Sequence, residues 1–195
     1  MQNRFQIKKI ALKSKNLKAY PNKEIDCIVI DDIKAYVEAC LKDMTSKGIE
    51  PKLAVKDCVV KARKGQVGEK VLTQCFVEVD DKEYILEETQ NEVKVEGSMV
   101  VQNPDGEEYI VKPEAFEKKY DPTQSSDEFK PKQGEPIKLI TTPHNIVFQS
   151  PWGTPMIAVK GSKLNISNME DIYAIQNVCF KNTYKEIEKE KGMER

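Results

Sequence analysis

The chain has 195 residues, 39% of them hydrophobic and 32% charged, a balance that supports a packed but thin core and excludes wholesale disorder. Its 31 basic and 32 acidic residues leave a net charge of −1, which removes the global positive field common among nucleic-acid and anionic-membrane binders and leaves them only a local basic patch. The cysteines Cys27, Cys40, Cys58, Cys75 and Cys179 are odd in number and never in a C-x-x-C pair, which argues against a disulfide framework and a zinc ribbon and for reduced, mostly buried thiols in a cytoplasmic protein.

At the N-terminus, Met1 to Leu12 lacks the unbroken apolar stretch of a secretory signal, and no apolar run approaches membrane-spanning length. Phe5, Ile7, Ile10 and Leu12 with lysines between them predict a first strand, bulged at Lys8-Lys9. After Pro21-Asn22, the β-branched run Ile25 to Ile30 predicts a second strand, and Asp31-Asp32 can cap a helix start. Ile33, Tyr36, Val37, Cys40, Leu41 and Met44 recur at steps of three and four, so a helix with one apolar face follows and stops at Gly48.

From Leu53 the pattern changes to short alternating runs, Val55 to Val60, Val71 to Val79, Tyr84 to Leu86 and Val93 to Val101, the signature of antiparallel strands and tight turns. Asp121 to Glu135, rich in proline, serine and charge, predicts a linker. Val178 to Arg195 predicts a C-terminal helix with a solvated end.

Sliding the chain against itself by 64 residues aligns Val93 to Tyr120 with Ile157 to Tyr184 without a gap. Val95, Gly97, Ser98, Tyr109, Phe116 and Tyr120 meet Val159, Gly161, Ser162, Tyr173, Phe180 and Tyr184. Matches at glycines and aromatics, which supply turn geometry and large buried area, point to an internal duplication. Upstream, Tyr84 aligns with Phe148 at the same offset, and Gly68 to Val71 resembles Gly134 to Ile137 at an offset of 66.

The expected fold is α+β and β-rich: an N-terminal strand-helix element over residues 1–56, then two tandem antiparallel, partly barrel-like modules. The first module spans 57–122; a linker, the second module and the C-terminal helix span 123–195.

The stretch Gly97 to Tyr120 runs glycine, apolar strand, polar turn with Gly106-Glu107, Tyr109, Pro113 and F-x-x-x-Y. In this it resembles the PGDYG-type segments of small phage and bacterial proteins, and the resemblance implies no established activity.

Candidate sites are few. Arg63, Lys64, Gly65, Gly68 and Lys70 form a basic, glycine-punctuated stretch of the kind that can hold phosphate through cations and backbone N–H groups, but its spacing is not that of a Walker loop. Trp152, between Pro151 and Gly153, is a candidate anchor for a protein partner. His144 is the only histidine and has no sequence-evident catalytic partners, and the acidic pairs lie on adjacent positions whose side chains diverge on a strand. No metal, cofactor or catalytic residue is expected. The favoured reading is a non-catalytic interaction or adaptor protein. An enzyme or binder of a nucleotide or other phosphorylated metabolite, and a small β-barrel RNA-binding protein, are the alternatives.

Overall fold

The computed structural model describes residues 6–151 and 153–188. The N-terminal part forms β1 (Ile7–Ser14), β2 (Lys23–Ile30) and α1 (Ile33–Ser46). β1 and β2 pair antiparallel without interruption from Ile7↔Ile28 to Leu12↔Lys23, so the bulge expected at Lys8-Lys9 is absent. Burial along β1 begins only near its end, at Leu12, and nothing forces strict alternation at the solvated lysines. α1 follows its sequence signals: the Ala35 N–H donates to the Asp32 carboxylate at 3.0 Å, satisfying a free helix-start donor. Its apolar stripe lays Ile33, Val37 and Leu41 on a core of Ile30, Ile140, Ile146, Phe148 and Leu164.

The chain continues through β3 (Lys52–Lys56), β4 (Val60–Lys64), the long hairpin β5 (Lys70–Val79) and β6 (Lys82–Glu92), β7 (Met99–Gln102), β8 (Glu108–Val111), α2 (Pro113–Lys119) and β9 (Tyr120–Pro122). It then runs through β10 (Glu128–Pro131), β11 (Ile137–Thr141), β12 (Ile146–Gln149), β13 (Pro155–Ala158), β14 (Lys163–Asn165), β15 (Tyr173–Ile175), α3 (Asn177–Thr183) and β16 (Tyr184–Ile187). Two expectations are corrected here. β10 lies inside the predicted linker, and the predicted C-terminal helix gives way at Tyr184 to a strand, because Tyr184 to Ile187 find a ladder partner in β3.

Among the described residues the strands form a six-stranded sheet, β13-β12-β2-β1-β6-β5, and two five-stranded sheets, β8-β7-β4-β10-β9 and β15-β14-β11-β3-β16. The fold is therefore β-rich, with curled sheets and a half-barrel. The two smaller sheets share one strand order. β7, β8, α2 and β9 recur 64 residues later as β14, β15, α3 and β16, in the same register: Val101 faces Tyr109 as Asn165 faces Tyr173. Gly97 and Gly161 hold equivalent turns at φ +80 and +90, a region where a Cβ is strained. The buried Ser98 and Ser162 follow them, each N–H returning to the residue three before, Val95 O at 3.2 Å and Val159 O at 2.9 Å.

The upstream alignment is corrected by hydrogen bonding. Gly65 N–H donates to Ser98 O at 2.8 Å, and Thr142 N–H donates to Ser162 O at 2.9 Å, so Gly65 matches Thr142. Gly68 follows β4 whereas Gly134 precedes β11, and Tyr84 and Phe148 lie on strands that do not correspond. The longer β5–β6 hairpin of the first copy produces the shift in offset.

The first strand of each copy pairs in the sheet of the other. β3 lies between β11 and β16, and β10 lies between β4 and β9. Lys56 faces Tyr184 as Pro131 faces Tyr120. Ladder hydrogen bonds thus cross both expected boundaries, 56/57 and 122/123. The hairpins β5–β6 and β12–β13 flank β1–β2 in the large sheet, where β12 runs parallel to β2. Fully buried Leu139 and Leu164 lie in the second copy, and truncating either to alanine in such packing costs about 2–5 kcal/mol.

Candidate functional site

The basic stretch after β4 is committed internally. Arg63 makes a two-pronged contact with Glu69, Nη1 to Oε2 at 3.1 Å and Nη2 to Oε1 at 2.5 Å, and the Gln66 N–H also donates to Glu69. These bonds hold the Glu69 carboxyl down to about 2. Gly65 and Gly68 give their N–H groups to Ser98 O and Val93 O. A Cβ on Gly65 would meet Val93 Cγ2 at 2.9 Å, so its glycine serves packing rather than a phosphate cradle. Lys64 and Lys70 are exposed strand residues. Of Arg63, Lys64, Gly65, Gly68 and Lys70, the Arg63 cation and the two glycine N–H groups are therefore already engaged within the protein, while Lys64 and Lys70 stay exposed. Trp152 lies outside the described residues, and His144 is exposed.

A different group of polar side chains converges where the two five-stranded sheets meet. Pro113 starts α2, and the residue before it, Lys112, is held extended as a pre-proline residue prefers. The short helix turns Phe116 and Tyr120 back onto the sheet, their rings stacked at 5.0 Å. Tyr120 Oη then lies 2.9 Å from Tyr109 Oη. Tyr109 donates to Asn103 Oδ1 at 3.3 Å, so Tyr120 is the donor between the two hydroxyls. Asn103 Nδ2 donates to Glu107 Oε2 at 3.2 Å. From the exchanged strand, Lys56 Nζ donates to Tyr120 Oη at 3.4 Å. A single directed chain of long hydrogen bonds runs from the Lys56 ammonium to the Glu107 carboxylate.

On one side of this chain is a cavity of about 310 Å³ bordered by Cys75, Glu107, Met156 and Gln176. Asp105, Glu107 and Cys179 bring one donor atom each within 4.8 Å of one another. Burial, then the neighbouring Asp105, raises the Glu107 carboxyl above its ordinary range. Burial likewise pushes the Cys179 thiol up to about 11 and raises Cys75 and Cys58. These thiols stay protonated near neutral pH, the opposite of an activated nucleophile.

On the other side is an open cleft of about 560 Å³ lined by Lys56, Lys118, Lys119 and Lys132 and by Tyr109, Tyr120 and Tyr184. Lys132 is held by the Glu117 carbonyl at 2.7 Å and faces Asp121 at 3.5 Å. Lys118 and Lys119 are exposed and make no ion pair among the described residues. Both sheets and both exchanged strands contribute to this wall.

The sequence predicts large buried area at the repeated aromatics, and the Phe116 ring is buried with Val60, Val101 and Tyr120. Sequence reasoning missed Lys56, Lys118, Lys119 and Lys132. One signal was legible: at the 64-residue offset Lys118-Lys119 stand over Asn182-Thr183, so the two copies differ in charge where their aromatics agree.

No family model, curated protein or solved structure matches this chain. Among the described residues, no helix is long and apolar enough to cross a membrane.

Proposed function

We propose that this chain is a non-catalytic binding protein, built from a duplicated β module, that takes its ligand in the cleft between the two five-stranded sheets. The observation that carries this reading is the composition of the cleft: four lysines and three tyrosines drawn from both copies and from the ends of both exchanged strands. A groove of this size falls in the range of ligand sites, roughly 300–1,000 Å³, with a few convergent polar groups. The thiols across the hydrogen-bond chain from it, Cys75 and Cys179, are held protonated, which favours binding over chemistry. On this reading the chain acts as an adaptor or carrier in a reducing compartment such as the cytoplasm, and Gly97 to Tyr120 belongs with PGDYG-type segments.

Affinity capture from native lysate tests the site directly. Material held by the wild-type chain and identified by mass spectrometry is expected to be lost from a Lys118→Glu/Lys119→Glu variant and kept by a Lys64→Glu/Lys70→Glu variant of equal charge change. Recovery that follows the second variant instead would move the binding surface to the turn after β4.

A further inference from the structure

The cleft's chemistry also selects its occupant. Resting on the binding reading above, we infer that the ligand is a small phosphate-bearing anion, free or esterified, with its phosphate held among Lys56, Lys119 and Lys118 beside Tyr184. Four ammonium groups around one opening favour a multiply charged anion over a neutral molecule. Lys132 is partly neutralised by Asp121 at 3.5 Å, which leaves Lys56, Lys118 and Lys119 as the main cations.

Hydroxyl and backbone donors complete the set. Tyr184 lines the cleft, and burial raises its pKa, so it carries a neutral O–H. Gln133 and Gly134 also line the cleft, and their N–H groups have no backbone partner among the described residues. Cations with several O–H and N–H donors suit the three terminal oxygens of a phosphate.

The same geometry disfavours a nucleic-acid strand. Single strands are held by bases stacking on open aromatic faces, but one face of Tyr120 carries the Phe116 ring at 5.0 Å, and Lys56 Nζ lies 5.7 Å from the Tyr120 centroid. Tyr184 is stacked on Phe180 at 5.6 Å. The faces of Tyr120 and Tyr184 are therefore already engaged, and the Asp121 carboxylate beside Lys132 interrupts a basic track onward from the cleft.

The test is a thermal-shift and calorimetric titration of the full chain with inorganic pyrophosphate, adenosine 5′-monophosphate, glucose 6-phosphate, a twelve-nucleotide single-stranded RNA and a poly-glutamate peptide. At least one of the first three is expected to raise Tm by about 5–10 °C at a hundredfold excess over its Kd. Which of them does so distinguishes phosphate alone, a nucleotide or a sugar phosphate as the source. The shift should disappear in Lys56→Met and Lys119→Met, persist in Lys64→Met, and weaken with added salt. The circular dichroism of each variant, matched to wild type, shows that the fold is retained.

Absence of any shift from the three small phosphates overturns the inference, as does a shift that survives both cleft variants. Binding of the peptide or the RNA alone, abolished by Lys56→Met, overturns the assignment to a small phosphate and leaves the cleft as the binding site. Lysate capture insensitive to the cleft variants would overturn the binding reading itself.

Discussion

Glu107 is a carboxylate in the wrong place for stability. It is half-buried beside Asp105, and burial followed by that like charge raises its pKa in the folded chain. The native state therefore holds the Glu107 proton to higher pH than the unfolded chain does. Stability is unaffected below the ordinary carboxyl range and declines as pH rises through the ordinary value to the raised one. Glu107→Gln keeps an acceptor for Asn103 and removes the charge. It is expected to raise the urea midpoint at pH 7 and leave it unchanged at pH 3. A lower midpoint at pH 7 would mean that the carboxylate is compensated by a cation. At this scale the sequence was informative where a residue's role is local: Gly97 and Gly161 mark turns, and Asp32 caps a helix. It was silent on Glu107 and Cys179, which lie 72 positions apart and meet only through the packing of α3 against the turn after β7.

The β5–β6 hairpin carries its own strain. Val79 pairs with Lys82, so the loop is the two residues Asp80 and Asp81, at φ +52 and +58. Positive φ at both centres is the type I′ turn, whose twist suits a hairpin and whose preferred second residue is glycine. Asp80 bonds Lys23 across the sheet and is left in place. Asp81→Gly is expected to stabilise the chain by about 0.5–1 kcal/mol, read as a rise in the urea midpoint with an unchanged slope. A fall would show that Asp81 holds a contact worth more than the relief of backbone strain. The hairpin itself was legible, because Val71 to Val79 and Tyr84 to Leu86 alternate around a short acidic turn. β10 was not: Glu128 to Pro131 has one large apolar residue, Phe129, whose ring meets Phe116 edge-on at 4.9 Å. One aromatic filling a core position outweighed a composition that reads as linker.

The reciprocal placement of β3 and β10 joins the two copies more tightly than a tandem array. A tandem layout predicts that residues 57–195 keep both modules when the N-terminal element is removed. The observed pairing predicts otherwise. β3 is the strand between β11 and β16, and Ala54 at its centre is fully buried. Removing it opens the second sheet through its interior and leaves β16 without a partner. Deleting residues 1–56 also takes away β1 and β2, the middle of the six-stranded sheet. The whole chain is accordingly expected to unfold in one transition, with near- and far-ultraviolet circular dichroism coincident in urea. The 57–195 fragment is expected to show no cooperative transition. A fragment that melts cooperatively, or a full chain that unfolds in two separated steps, would overturn this coupling of the two copies. The repeat was visible in the sequence because glycines and aromatics recur at one offset, but strand exchange leaves the residues of each copy unchanged and alters only which ladder they join. For the same reason the cleft was hidden: its lysines come from the end of β3, from α2 and from the segment after β10, and exchange of the first strands brings them to one wall.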